Sequence, residues 1–233
     1  MGHIQRNIDE LRAEMDSILT KRDGEVSGAL LVAVSKRFPT SDIIEAYGTG
    51  VRDFGENTVQ EFLQKYDELS PDFKDIRWHF IGHLQTNKVS KIIGKTHLIH
   101  SLDSIRLAEE IQKESAKKGL VTDVLVQVNI SGEKTKFGIS PDEIDIFFQK
   151  IGDMKNIFVK GLMTIAPETE NSENCRHIFK NLFNLVVDKK MKLFHNVTKV
   201  HLSMGMSSDF KIALEEGATI IRVGSAIFGI RNY

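Results

Sequence analysis

Short apolar runs alternate with amphipathic segments along the whole chain. The first clear run, Leu30–Val34, is apolar throughout and leads to Lys36, as expected for a strand covered on both faces of a parallel sheet. Helical spacing of apolar residues precedes it over residues 3–22. The predicted strands are 30–36, 51–55, 76–81, 96–102, 122–130, 157–165, 199–203 and 219–223. The predicted helices are 3–22, 41–47, 57–66, 87–93, 103–118, one from Pro141, 172–190 and 209–216.

Strands and helices alternate without exception in this pattern, which favours parallel βα units. Eight such units fit a (β/α)8 TIM barrel, an α/β fold, with an additional N-terminal helix. No linker-like tract divides the chain, so we expect a single domain over residues 1–233. A doubly wound open sheet is the alternative, but it usually holds fewer strands, and no G-x-G-x-x-G turn follows the first strand.

Composition narrows the classes of function. The 233 residues carry a net charge of -1, which suggests neither a nucleic-acid groove nor a membrane-binding patch. No apolar run approaches the length of a transmembrane helix. The single cysteine, Cys175, excludes an intramolecular disulfide and a multi-cysteine zinc site, and fits a reducing cytoplasm.

Lys36 is the first candidate for chemistry. Side chains alternate along a strand, so Val32, Val34 and Lys36 share one face. A lysine on the core side of a strand end is costly unless it is neutralised, paired or used covalently. Partial burial would lower its pKa and free the amine to attack a carbonyl group. The alternative is a lysine that simply extends to solvent at the end of the strand.

The loops after the last two predicted strands have the chemistry of a phosphate site, which TIM barrels often have in this position. They offer hydroxyl groups, and glycines that let a ligand approach the backbone closely. The first loop spans residues 203–208 (SMGMSS) and is followed by a predicted helix, and the second begins with Gly224 and Ser225. Taken singly, each loop is equally compatible with an ordinary glycine-serine turn.

Arg222 shares a strand face with Gly224 and needs an acceptor, which is either a neighbouring carboxylate or a ligand atom. A strand-end lysine, a phosphate cradle and an arginine between them imply a ligand with an aldehyde, a phosphate and a ring acceptor. Pyridoxal 5'-phosphate (PLP) has these groups. Lys36 would form a Schiff base with it, and Arg222 would face the pyridine nitrogen.

Eight stretches of the chain also resemble a known family. The chain is similar to the pyridoxal-phosphate homeostasis proteins, which are themselves similar to the N-terminal barrel of alanine racemases. The matching stretches are 33–36 (AVSK), 54–57 (FGEN), 78–88 (WHFIGHLQTNK), 127–130 (QVNI), 136–138 (KFG), 161–165 (GLMTI), 202–207 (LSMGMS) and 222–229 (RVGSAIFG). They span nearly the whole chain in order. One departure is His83, where many relatives have proline.

The resemblance implies a cytoplasmic barrel that holds PLP as an internal aldimine on Lys36, with Arg222 on the ring nitrogen. It implies as ligands of the phosphate Ser203, Gly205, Ser207, Gly224 and Ser225. It also implies release of PLP to free amino acids or to PLP-dependent apo-enzymes. Asn57 and Met163 are candidates to line the ring, although capping of a loop and core packing explain them equally well.

The expected function is PLP homeostasis with little or no catalytic turnover. An arginine beside the pyridine nitrogen disfavours its protonation and weakens the ring as an electron sink. Alanine racemases use a second base, a tyrosine brought by a further C-terminal domain of the partner subunit, and this chain ends at Tyr233. Because that second domain also builds the racemase dimer, we expect this chain to be a monomer. The alternatives are an amino-acid racemase or lyase with Lys36 as its base, and a phosphosugar isomerase or aldolase without a chromophore.

Other polar residues give weaker signals. His79 and His83 flank the third predicted strand, but no cysteine or carboxylate partner at suitable spacing supports a metal site. A structural role or a contact with the ring is favoured for both. Lys134 and Lys136 form a small basic loop, for which a solvated surface is favoured over weak phosphate binding.

Overall fold

Eight parallel strands close into a barrel in sequence order, so the predicted TIM barrel is confirmed. The computed structural model describes residues 2–22, 28–133, 135–193 and 200–229. Predictions that concern Asp23, Gly24, Lys134, Lys199 and Tyr233 lie outside these residues.

The strands pair with their neighbours along the chain, and β8 pairs with β1 through Val32 and Arg222, among others. Their bounds are β1 Leu30–Val34, β2 Asp53–Glu56, β3 Arg77–Phe80, β4 Leu98–Leu102, β5 Thr122–Gln127, β6 Ile157–Met163, β7 His201–Ser203 and β8 Ile220–Val223. Each strand is shorter than the range predicted for it; β1, for example, ends at Val34 and β5 at Gln127.

The helices of the described chain surround the barrel. Their bounds are α1 His3–Leu19, α2 Thr40–Gly48, α3 Val59–Leu69, α4 Val89–Ile92, α5 Ile105–Lys117, α6 Ile144–Ile151, α7 Arg176–Leu193, α8 Phe210–Glu215 and α9 Ser225–Phe228. Short 3-10 turns precede α4, α6 and α7, at Thr86–Lys88, Pro141–Glu143 and Ser172–Cys175. None of the helices within the described ranges has the length and apolar character to cross a membrane.

The additional N-terminal helix lies where its apolar stripe predicts. Ile4, Ile8, Leu11 and Met15 are buried on one face of α1, which packs against α2, α8 and α9. Asn7 donates from its amide to the carbonyl oxygen of Ile227 over 2.8 Å. The helix therefore covers the seam where the last βα unit meets the first.

Helices α2 and α5 begin at residues other than those predicted, α2 at Thr40 instead of residue 41 and α5 at Ile105 instead of residue 103. Ser104, and not Asp103, is the N-cap of α5, because its extended backbone lets its hydroxyl accept from the N–H of Leu107. The Asp103 carboxylate instead contacts His83. Pro39 is the N-cap of α2, so Thr40 and Ser41 both lie in the first turn of that helix.

Buried apolar side chains form two clusters. The larger one fills the space between the strands and the surrounding helices. The smaller one comprises Val32, Leu98, Leu125, Met163 and Ile220, which alternate on their strands with residues of the larger cluster and so face the interior of the barrel. This interior cluster supports the polar side chains that lie above it at the carboxyl end of the strands.

Candidate functional site

A cavity of about 480 Å³ opens at the carboxyl end of the barrel, where TIM-barrel enzymes carry their active sites. It brings together Lys36 after β1, Ser207 after β7, and Arg222, Gly224 and Ser225 at the end of β8. The other lining residues are Val34, Ile81, Glu168, Met206 and Ser208. Five of the nine candidate residues from the sequence thus border one space.

Lys36 is half-buried and follows the end of β1. Val34, which precedes it on the same face, lines the same cavity. The next residue, Arg37, has a φ of 66°, in the left-handed region that non-glycine residues rarely adopt. This turn redirects the chain from the strand toward α2 directly behind the lysine.

Arg222 is buried on the inner face of β8, with 4 % of its surface exposed. Its guanidinium donates to the hydroxyl oxygen of Ser203 over 2.6 Å and to the carbonyl oxygen of Thr164 over 3.0 Å. Among the described residues, no carboxylate forms an ion pair with it. Burial lowers the pKa of Arg222 to about 10, against the opposing charge of Asp209, so the group remains a cation at neutral pH.

A chain of buried polar side chains extends from Arg222 across the barrel. Ser203 Oγ lies 2.9 Å from Nδ1 of His100, whose Nε2 lies 2.9 Å from Nδ1 of His79. His79 Nε2 lies 2.9 Å from the carboxylate of Asp53. His79 donates to Asp53 from Nε2, because an ionised carboxylate can only accept. Burial, with the nearby His79 and Arg222, lowers the pKa of His100 well below its ordinary value.

Sequence reasoning missed this chain as a unit. It gave His79 either a structural role or a contact with the ring, and the complete burial of His79 and its two hydrogen bonds favour the structural role. His100 and Asp53 gave only the weak signal of a polar residue inside an apolar strand. Their strands are separated along the chain, so no local spacing pattern could have joined them.

Ser207 and Ser203 have different surroundings. The oxygen of Ser207 accepts from the N–H groups of Gly224 and Ala226, at 3.2 and 3.3 Å, which leaves its own O–H to donate. The Ser203 oxygen is engaged by Arg222 and His100 inside the barrel. Ser207 therefore borders the cavity, whereas the Ser203 hydroxyl lies beneath it.

Three further candidates lie outside the lining of the cavity. Gly205 has a φ of +91°, and a Cβ there would lie 2.6 Å from Cβ of Ala213, so close packing against α8 requires the glycine. Met163 is fully buried in the interior cluster. Asn57 lines a neighbouring cleft together with His83.

His83 stacks on the exposed ring of Phe137, with centroids 3.8 Å apart, and its Nδ1 lies 3.0 Å from the Asp103 carboxylate. These contacts hold the loop after β3. Lys136 pairs with Glu133 at 3.4 Å. Its ammonium therefore has a partner within its own loop.

Comparison with known proteins agrees with this architecture. The family model for the alanine racemase N-terminal domain matches residues 2–232. A pyridoxal phosphate homeostasis protein of Aquifex aeolicus is 48% identical over 205 residues, which cover 88% of each chain. The chain belongs to the family of pyridoxal phosphate homeostasis proteins.

The pyridoxal phosphate homeostasis protein of mouse and one solved structure extend the comparison. The mouse protein is 39% identical over 241 residues and is covered over 88% of its length, with all of this chain matched. PipY of Synechococcus elongatus has been solved with PLP bound, and that structure superposes with a TM-score of 0.84 at 32% identity. The match covers 97% of this chain and 100% of that one. This chain and PipY therefore share the barrel fold.

Proposed function

We propose that this protein binds PLP in the cavity at the carboxyl end of the barrel, with its aldehyde joined to Lys36 as a Schiff base. Its role is intracellular PLP homeostasis, with little or no catalytic turnover. The observation that carries the proposal is that Lys36, Arg222 and Ser207 border one cavity in a chain whose relatives are named for PLP. The protein acts as a single domain over residues 1–233 and as a monomer.

The donors around the cavity fit PLP. Arg222 is a buried cation whose described contacts use only part of its fork of N–H groups, and such a group requires an acceptor. A pyridine nitrogen supplies a neutral acceptor. Ser207 keeps an O–H free to donate because its oxygen is already held by two backbone N–H groups. Ser225 borders the same end of the cavity and its hydroxyl adds a further donor suited to a phosphate, whereas the N–H of Gly224 is used in holding Ser207.

The four remaining candidate residues have indirect roles in this proposal. Ser203 acts through Arg222, and Gly205 shapes the loop that presents Ser207. Met163 supports the floor of the site from inside the barrel, and Asn57 borders the adjoining cleft.

When bound, PLP supplies an aldehyde that condenses with primary amines. Lys36 provides that amine, and its place at the end of β1 keeps it inside the cavity. Arg222 holds a permanent positive charge where the ring nitrogen would lie, and a second positive charge there is disfavoured. This arrangement retains the cofactor but suppresses chemistry that needs a protonated ring, which supports storage over turnover.

A cytoplasmic location and transfer of PLP to amino acids or apo-enzymes complete the proposal. A single cysteine in 233 residues suits a reducing compartment. Glu168 borders the cavity beside Lys36 and is exposed, so an incoming ammonium group would meet a carboxylate at the entrance.

The test is the absorption spectrum of the protein after PLP is added, before and after borohydride reduction. We expect a yellow wild-type protein whose chromophore becomes covalently fixed to the peptide that contains Lys36. Lys36→Ala should not be labelled, whereas the matched control Lys91→Ala, in the neighbouring cleft, should be labelled like the wild type. A wild-type protein that stays colourless would refute PLP binding. Interconversion of alanine enantiomers at an ordinary enzymatic rate would refute low turnover.

A further inference from the structure

A buried ionic cluster lies directly behind Lys36, on the outer side of the barrel wall. It consists of Glu56 at the end of β2 and Glu61 and Lys65 on α3, and we call it the Lys65 cluster. The Lys65 ammonium lies 2.8 Å from Oε1 of Glu56 and 2.8 Å from Oε1 of Glu61. Only 5 % of the Lys65 surface is exposed, and Glu56 is completely buried.

This cluster holds the backbone on both sides of Lys36. Lys65 Nζ donates to the carbonyl oxygen of Ser35 over 2.7 Å, and that carbonyl belongs to the peptide group before Lys36. The Glu61 carboxylate accepts from the N–H of Arg37, which belongs to the peptide group after Lys36. Lys65 and Glu61 therefore form hydrogen bonds with the two peptide groups that flank Lys36.

The Ser35 side chain adds another tie to the same cluster. Its hydroxyl donates to Oε1 of Glu56 over 2.7 Å. Three donors of the Lys65 ammonium are used by Ser35, Glu56 and Glu61, so the lysine has no capacity left for a further ligand. Its chemistry is that of a structural cation with every donor satisfied.

The backbone at this point is strained, which explains why several contacts are needed. Arg37 has a φ of 66°, a conformation that costs a non-glycine residue free energy and persists only where surrounding contacts impose it. Its N–H is the group held by Glu61. The cluster thus maintains the turn that directs the Lys36 side chain into the cavity.

We propose that Lys65 is a positioning residue for Lys36, acting through the two peptide groups that the Lys65 cluster holds. The inference rests on the proposed function, in which Lys36 carries PLP. A reactive amine that is oriented before the cofactor arrives loses less conformational freedom when the bond forms. Removing Lys65 therefore weakens and slows PLP binding without removing any group that touches the cofactor.

The test compares Lys65→Met with Lys95→Met, which removes an ion pair to Asp67 and a cation–π contact with Tyr66 and no contact of the Lys65 cluster. Methionine keeps most of the apolar stem, and Glu56 can take up a proton when its cation is lost, because burial already raises the pKa of that carboxyl. We expect PLP association to slow and the dissociation constant to rise by about tenfold in Lys65→Met. The Lys95→Met variant should match the wild type in both quantities.

A second readout needs no cofactor. In the apo-protein, the Arg37 amide should exchange its hydrogen faster in Lys65→Met than in the wild type, because Glu61 loses the ion pair that holds it in place. Glu61→Ala removes the acceptor of that amide directly, and it should show the same two changes. This variant serves the test where Lys65→Met fails to fold, since Glu61 is partly exposed.

The outcomes separate the two proposals. Folded Lys65→Met and Glu61→Ala proteins with wild-type PLP affinity, association rate and Arg37 exchange would overturn the positioning role and leave PLP binding intact. A lower melting temperature with unchanged PLP binding per folded molecule would also overturn it. A wild-type protein that does not bind PLP would instead overturn the proposed function.

Discussion

The Arg222 guanidinium donates a hydrogen bond of 2.6 Å to the hydroxyl oxygen of Ser203, inside the barrel and beneath the cavity. The same oxygen lies 2.9 Å from Nδ1 of His100, so one serine joins the cation of the site to the imidazoles below it. The guanidinium is therefore positioned by the neutral hydroxyl of Ser203 and not by a carboxylate. Its positive charge is not neutralised by that contact and faces the cavity.

Replacing Ser203 tests this relationship. Ser203→Ala leaves a buried guanidinium and a buried imidazole each without one partner, and we expect the free energy of unfolding to fall by about 1–3 kcal/mol. Urea denaturation measures the change. The matched control is Ser101→Ala, because the Ser101 hydroxyl is equally buried but has no hydrogen-bond partner among the described residues. That control should be neutral or slightly stabilising, and equal losses in both variants would contradict the role of Ser203.

Arg222→Lys tests the need for a planar cation. A lysine ammonium cannot donate to Ser203, to the Thr164 carbonyl and to a ring acceptor in the same fork geometry. We expect the dissociation constant for PLP to rise by about tenfold, a loss of one good hydrogen bond to a charged group. A fluorescence titration measures it. Arg176→Lys, in an exposed ion-pair network on α7, should keep wild-type affinity. Equal affinity in Arg222→Lys and the wild type would remove the arginine from the binding site.

Asp53 should make the protein sensitive to acid. Burial opposes its ionisation, but hydrogen bonds from Arg77 and His79 outweigh burial and lower the pKa of Asp53 from 3.8 to about 2. Because the pKa is depressed in the folded state, this stabilisation is complete above 3.8 and is lost as the pH falls toward 2. The loss amounts to about 2 kcal/mol.

Urea denaturation over this acid range measures the effect. Asp53→Asn should be less stable than the wild type at neutral pH, but its free energy of unfolding should fall less steeply as acid is added. A variant with the same steepness as the wild type would show that other carboxylates carry the acid response.

The left-handed backbone at Arg37 predicts that glycine is tolerated at this position and that a β-branched residue is not. Arg37→Gly should change the free energy of unfolding by no more than about 1 kcal/mol, because glycine relieves the strain but gains freedom in the unfolded chain. Arg37→Val should lose about 1–2 kcal/mol, because a β-branched side chain is poorly accommodated at positive φ. Arg37→Gln controls for the lost charge and should match the wild type. Equal stability of the valine and glutamine variants would contradict the strain.

Local sequence signals predicted the elements well. The run Leu30–Val34 is β1 in full, and the amphipathic spacing from residue 3 onward is α1. Errors arose at the ends of elements, as at Asp103 and Ser104, where two adjacent residues of cap type compete. Only the backbone geometry of Ser104 and the presence of His83 beside Asp103 distinguish them.

Candidate site residues were predictable where they follow strands in loops that converge on one end of the barrel. Lys36 and Ser207 belong to this group, and Arg222 lies at the same end of the barrel on β8 itself. Residues that act beneath the surface were not predictable in the same way. Ser203 appeared in the sequence as one of several loop hydroxyls, and nothing near it in the chain indicates His100.

By itself, the sequence determined the order of eight βα units and the placement of Lys36 after the first strand, because hydrophobic periodicity and turn residues act over a few positions. Only the tertiary structure decided that the Ser203 hydroxyl contacts His100, 103 residues away. It also decided that the Lys65 ammonium donates to the backbone next to Lys36. Buried polar groups must find partners wherever the fold brings them, and closure of the barrel places those partners on distant strands and helices.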